Sequence, residues 1–166
     1  MFEPLRPISM IQIGVFEGAD LVWCFQNILA HSDSRAIAID PWLPTTKLSK
    51  EFMEEVHQRA VHNLGPWFRK VTIRRALSQN ILNALKPNSY DLIVIDGDHT
   101  DEAVFEDACT SLRLLKAGGI MVFDDVRNRI PKKNHVLQGI EMFLKGHEKD
   151  VELCWMHRYA DCYRKV

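Results

Sequence analysis

Between Tyr90 and Asp96 the chain reads Tyr-Asp-Leu-Ile-Val-Ile-Asp, an almost unbroken apolar run closed by polar residues. A strand with one wet face alternates apolar and polar side chains. A run without alternation needs cover on both faces, which a parallel sheet between two helix layers supplies. The segment therefore predicts a central parallel strand and limits its neighbours to elements that can flank one.

The rest of the chain fits that frame. Met10 to Val15 has strand character and leads through Gly18 into an apolar-rich helix from Leu21 to Ala30. Arg35 to Asp40 is a second strand, stopped by Pro41. Phe52, Met53, Val56, Ala60 and Leu64 form one stripe of a helix over Ser49 to Leu64, which Gly65 and Pro66 end. Lys70 to Ala76 is a third strand and Leu77 to Leu85 a short helix. Thr100 caps a helix with Asp101 and Glu102 in its first turn and Val104, Ala108, Leu112 and Leu115 on its inner face, ended by Gly118 and Gly119. Ile120 to Phe123 is the fifth strand, and Asn134 to His147 a helix. Val151 to His157 and Asp161 to Val166 are joined by Arg158-Tyr159-Ala160, too short for a crossover helix, so they predict an antiparallel hairpin. The expected fold is α/β, a Rossmann-like doubly wound, mostly parallel sheet of seven strands with a C-terminal antiparallel hairpin.

At 166 residues the chain has the size of one domain, and residues 1–166 are read as a single unit. Acidic and basic residues nearly cancel, at a net charge of −1, which gives no electrostatic footprint for nucleic acid. The densest basic stretch, Arg127, Arg129, Lys132 and Lys133, reads as a solvated loop. No long apolar run or leader is expected, and Cys24, Cys109, Cys154 and Cys162 lack CxxC spacing. Cytoplasmic location, free thiols acting as small buried hydrophobes, and no membrane partner are the expectations.

In an open α/β sheet, ligands bind beyond the carboxyl ends of the strands. Here those ends carry Gly14-Val15-Phe16-Glu17-Gly18, Asp40, Ala76-Leu77-Ser78, Asp96-Gly97-Asp98-His99 and Asp124-Asp125. Glycines at 14 and 18 let backbone approach a ligand at a helix start, or else serve a tight packing turn. Their spacing is not the dinucleotide GxGxxG, which places a nicotinamide-dependent oxidoreductase last among the readings. Asp40, 26 residues after Gly14, is placed to accept both hydroxyl hydrogens of a ribose; the alternative is a turn former ahead of Pro41. Asp96, Asp124 and Asp125 stand at neighbouring strand ends, where crowded carboxylates call for a hard cation such as Mg²⁺ or Ca²⁺ unless they cap helices and loops. Asp98 and His99 follow, candidates for a general base. His57 and His62 lie about 140° apart around their helix and cannot share a metal from one face. Trp42 and Trp67 are read as core packing ahead of acceptor contacts.

Gln12 to Gly18, Ile39-Asp40, Ile95 to His99 and Gly118 to Asp125, taken in order, resemble the class I S-adenosylmethionine-dependent methyltransferases, and more narrowly the branch related to catechol O-methyltransferase and antibiotic sugar O-methyltransferases. The resemblance implies that Gly14, Val15, Phe16, Glu17 and Gly18 line the methionine part of S-adenosylmethionine. It implies that Asp40 holds the ribose, that Ala76, Leu77 and Ser78 border the adenine, and that Asp96 stands at the cofactor as well. Asp96, Asp124 and Asp125 match the family's metal ligands, and the general base falls on Asp98 or His99. Two positions depart from the pattern: Gln12 replaces an acid, and Asp20 stands where Ser or Thr faces the methionine carboxylate. Relatives also carry N-terminal helices over the cofactor, while nine residues precede the first strand here. A lid is therefore absent, built from Pro41 to Lys50, or borrowed from a second copy in a homo-oligomer.

The implied function is divalent-metal-assisted O-methylation of a small hydroxylated acceptor. The alternatives are a metal-independent methyltransferase and a non-catalytic cofactor-binding or partner-binding domain.

Overall fold

The computed structural model describes residues 6–126, 134–157 and 159–166. Arg127, Arg129, Lys132, Lys133 and Arg158 lie outside them. Seven strands form one sheet in the order β3-β2-β1-β4-β5-β7-β6. They are β1 Ser9–Ile13, β2 Arg35–Ile39, β3 Val71–Arg74, β4 Tyr90–Ile95, β5 Leu115–Phe123, β6 Val151–Met156 and β7 Asp161–Lys165. The first five pair in parallel, and β7 runs antiparallel to both β5 and β6. The expected sheet and hairpin are borne out.

Alternation along the strands splits the core in two. Ile11, Ile13, Ile93, Ile95, Met121 and Phe123 face α3 (Ser78–Leu82), α4 (Asp101–Leu114) and α5 (His135–His147). Met10, Ala36, Ala38 and Leu92 face α1 (Ala19–Asn27) and α2 (Lys50–Leu64). This is why β4 reads apolar throughout: Leu92, Ile93 and Ile95 are all buried, on opposite faces.

The cap expected at Thr100 forms, and two more appear at the starts of α2 and α5. The Thr100 hydroxyl accepts from Ala103 N, Ser49 from Phe52 N, and the Asn134 side chain from Leu137 N.

Several boundaries move. α4 ends at Leu114, before the glycines expected to end it; Gly118 and Gly119 lie inside β5, whose pairing with β4 is irregular between Tyr90 and Leu92. Gly118, at φ 75°, takes a conformation that costs glycine little. α3 is shorter than expected, and α1 begins at Ala19. Cys154 is exposed, unlike the buried filler expected of it. Trp42 and Trp67 do pack internally: Trp42 is 1% exposed, and Trp67 stacks on Phe25 with centroids 5.3 Å apart. Among the described residues no helix is long and apolar enough to cross a membrane.

Candidate active site

The carboxyl ends of β1 and β4 touch. Gly14 adopts φ 77°, and a Cβ built there would lie 1.9 Å from the carbonyl oxygen of Asp96. Gly18, at φ 82°, starts α1 against Leu64. The packing-turn role of these glycines is thus realised by direct contact.

Asp40 ties this turn down. Its Oδ2 accepts from Val15 N at 2.9 Å and Phe16 N at 3.0 Å, while Oδ1 accepts from Trp42 N at 2.7 Å. The last bond is an Asx turn, the turn-forming alternative. A carboxylate has about four acceptor positions, so three are used and one remains on Oδ1. Trp42 Nε1 donates to Phe16 O at 2.9 Å, and the Trp42 ring lies 4.5 Å from that of His57. Phe16 and Trp42 both hold positive φ, 49° and 46°, a strained backbone that the interlocked bonds sustain. Glu17 reaches away to Arg59 at 2.7 Å.

Next along the rim, Ala76 N donates to Asp40 O, Leu77 is exposed, and Ser78 is buried. Ser78 hydrogen-bonds Asp107 of α4, a residue sequence reasoning missed. Asp107 is 3% exposed, burial pushes its carboxyl up to about 6, and its Oδ1 has no partner among the described residues. The available signal was an acid at helical spacing within the stripe of Val104, Ala108 and Leu112.

On the far side of the rim, Asp96 and Asp124 follow the paired residues Ile95 and Phe123, so the parallel register makes them neighbours. Asp125 has φ 54°, a conformation Asp tolerates better than most residues. His99 Nε2 lies 3.4 Å from Asp96 Oδ1, and His99 Nδ1 lies 3.7 Å from Asp125 Oδ2. One ligand atom each from Asp96, His99 and Asp125 falls within 4.8 Å of the others. Asp124 is outside this group; its carboxylate accepts from Asp125 N. Asp98 Oδ1 accepts from Thr100 N, preparing the entry to α4.

Charge accumulates here. Burial, then the charges of Asp96, Asp125 and Asp20, raise the Asp124 carboxyl, although the Asp125 amide opposes them. Burial and then Asp96 raise Asp20. Hydrogen bonding to Asp96, reinforced by the charges of Asp96, Asp125 and Asp124, raises His99 against the opposing effect of burial.

Two carboxylates and an imidazole with ligand atoms within 4.8 Å of one another are a donor set whose chemistry suits a divalent cation, broader in preference than an all-oxygen site. For a nucleoside cofactor the rim offers the remaining Oδ1 position of Asp40 and the α1 N-terminus, which has no side-chain cap. Gln12, buried beneath the turn, donates Nε2 to Gly14 O and leaves Oε1 without a partner among the described residues.

Residues 11–126 match the family model described as "Methyltransferase domain". An uncharacterized protein of Acanthamoeba polyphaga mimivirus is 29% identical over 125 residues, covering 73% of this chain and 52% of that protein. The chain spans about half the length of the curated relatives it matches. Among solved structures, the O-methyltransferase TomG of Streptomyces achromogenes, involved in tomaymycin synthesis and in complex with SAM, aligns at a TM-score of 0.69 and 17% identity over 95% of this chain and 73% of that one. The O-methyltransferase of Bacillus cereus in complex with SAH aligns at 0.68 and 18% over 95% and 74%. These likenesses establish the fold and bear out the resemblance read from the sequence; with the family model matched from the first strand to the end of the acidic rim, the chain belongs to the methyltransferase-domain family.

Proposed function

We propose that residues 1–166 act as an S-adenosylmethionine-dependent O-methyltransferase unit for a small hydroxylated acceptor, with a divalent cation assisting. The observation that carries the reading is the meeting of Asp96, His99 and Asp125 within 4.8 Å, beside the glycine turn packed on Asp96. The O-methyltransferases of similar fold that are bound to SAM or SAH support it.

When bound, S-adenosylmethionine supplies a methyl group on a sulfonium that leaves as a neutral thioether. Asp40 Oδ1 would accept from a ribose hydroxyl, the Gly14–Gly18 turn would border the methionine part, and Ala76 to Ser78 would border the adenine. A divalent cation held by Asp96 and Asp125 supplies a Lewis acid that lowers the pKa of an acceptor hydroxyl. His99 either completes that ligand set or takes the hydroxyl proton on a ring nitrogen. With the cofactor bound, the acidic rim would hold the acceptor oxygen toward the methyl group that S-adenosylmethionine would supply.

Isothermal titration with S-adenosylmethionine and S-adenosylhomocysteine, with Mg²⁺ and then with EDTA, tests this. Micromolar binding is the expected result, and absence of binding under both conditions would sink it. A second reading, cofactor binding without turnover, is favoured by Asp20: its carboxylate in the first turn of α1 repels an anionic methionine carboxylate. Binding retained without turnover across hydroxylated acceptors would select that reading.

A further inference from the structure

The two edges of the sheet are built differently. β3 ends in Arg74 and is flanked by Arg69, Lys70 and Arg75, charges that discourage strand addition. β6, beyond β7, also has one charge inside the strand, Glu152, paired with Arg164 at 3.0 Å within the same hairpin; Glu148, Lys149 and Asp150 precede it, its pairing with β7 shifts register between Leu153 and Trp155, and what sets it apart is its exposed apolar side chains. Leu153, Trp155 and Met156 are 51%, 53% and 53% exposed.

The exposed residues lie on both faces of this edge. Leu153 pairs with Tyr163, which points into the core on the α5 side; Trp155 pairs with Cys162 on the opposite face. On that second face Trp155 looks across an apolar groove of about 390 Å³ to Trp23 of α1, itself 56% exposed. Val94, Ile120 and Val122 form the floor. Large side chains half exposed in this way leave about 100 Å² each, so Leu153, Trp155, Met156 and Trp23 present on the order of 400 Å² per copy. Doubled by a two-fold axis and joined by the strand's own backbone edge, this reaches the roughly 1,000 Å² expected of a specific interface.

We propose that β6 is a homodimer interface, in which a second copy lays its own β6 antiparallel against this one and the two sheets become continuous. A second copy fits for a definite reason. An isologous contact sets the same surface against itself, and this edge is self-complementary: it is apolar on both faces, and its single charge is neutralised internally. The pairing also braces the site. Val126, directly after Asp125, donates its N–H to Tyr159 O at the hairpin tip, so fixing the hairpin fixes the strand end that carries the acidic rim.

Sedimentation velocity on the full chain over a range of concentrations tests the proposal. The expected species has twice the 19.2 kDa chain mass. Leu153→Lys and Trp155→Lys should each weaken association at least about 100-fold, whereas Phe68→Lys, a control outside β6 at a residue 69% exposed, should leave it unchanged. Hydrogen exchange on the unmodified chain removes any dependence on the variants folding: outward-facing amides of residues 151–156 should gain protection as concentration rises. A monomer at every concentration would overturn the proposal. So would a dimer that survives both β6 substitutions or is lost in Phe68→Lys.

Discussion

At the end of β2 one carboxylate, Asp40, accepts three backbone N–H groups and stitches two loops together. At the ends of β4 and β5, burial and then the charges of Asp96, Asp125 and Asp20 raise the affinity of Asp124 for its proton, burial and then Asp96 raise that of Asp20, and a single histidine bridges Asp96 and Asp125. The same residue type thus does opposite work at neighbouring strand ends. Asp40 spends its acceptor capacity on its own chain and stabilises the fold. Of the β4–β5 acids, Asp124 accepts from the Asp125 amide while Asp96 and Asp125 face His99, and the raised carboxyl of Asp124 costs stability, as expected where a fold holds binding capacity in reserve.

The sharpest way to break this comparison is Gly14→Ala, because Gly14 is where the two regions touch. Its Cβ would sit 1.9 Å from the Asp96 carbonyl oxygen, which the backbone must move to relieve. A loss of about 4 kcal/mol or more, or no folding at all, is expected by thermal circular dichroism. A melting temperature within about two degrees of the parent would show that the contact does not exist.

Asp40→Ala comes next, since it leaves three N–H groups without their carboxylate. Urea unfolding should show a loss of about 3 kcal/mol. Asp40→Asn, which keeps the acceptor oxygen but not the charge, should lose less.

Asp107→Asn should act in the opposite direction. A carboxyl at about 6 in the fold, against 3.8 unfolded, holds its proton longer when folded. Its stability contribution is therefore complete below about pH 4 and is lost as pH rises through 6, a change on the order of 2 kcal/mol. The variant should be more stable than the parent at pH 7.5 and nearly equal at pH 4. A parallel pH profile of melting temperature in both proteins would contradict this.

The smallest effect belongs to Asp124→Asn. Relief of repulsion at a partly exposed group should raise stability by a few tenths of a kcal/mol. Melting curves with a divalent cation and with EDTA add a second readout: the parent should gain melting temperature with the cation, and the variant should gain less.

Much of this was legible in the sequence because its causes are local. The apolar run at Tyr90 to Asp96, the alternation of Val71 and Ile73 in β3, the stripe of α2 and the cap at Thr100 each depend on residues within a turn or two. Together they fix the order of elements and so the strand ends that form the rim. The boundary of α4 was missed because glycines commonly stop helices, yet here Gly118 and Gly119 serve an irregular strand pairing.

The site divides along the same line. The sequence by itself determined the family, the seven-stranded sheet and the set of acids at its strand ends, since periodicity and parallel register dictate which residues arrive there. Only the tertiary structure decided that Asp40 closes on Val15, Phe16 and Trp42, that His99 stands between Asp96 and Asp125, that Asp124 turns to the Asp125 amide, and that Asp107 is buried beneath Ser78. Those outcomes depend on distances of a few ångströms between loops far apart in the chain, set by how strands, helices and the Gly14 contact pack together, and no local pattern of residues encodes such distances.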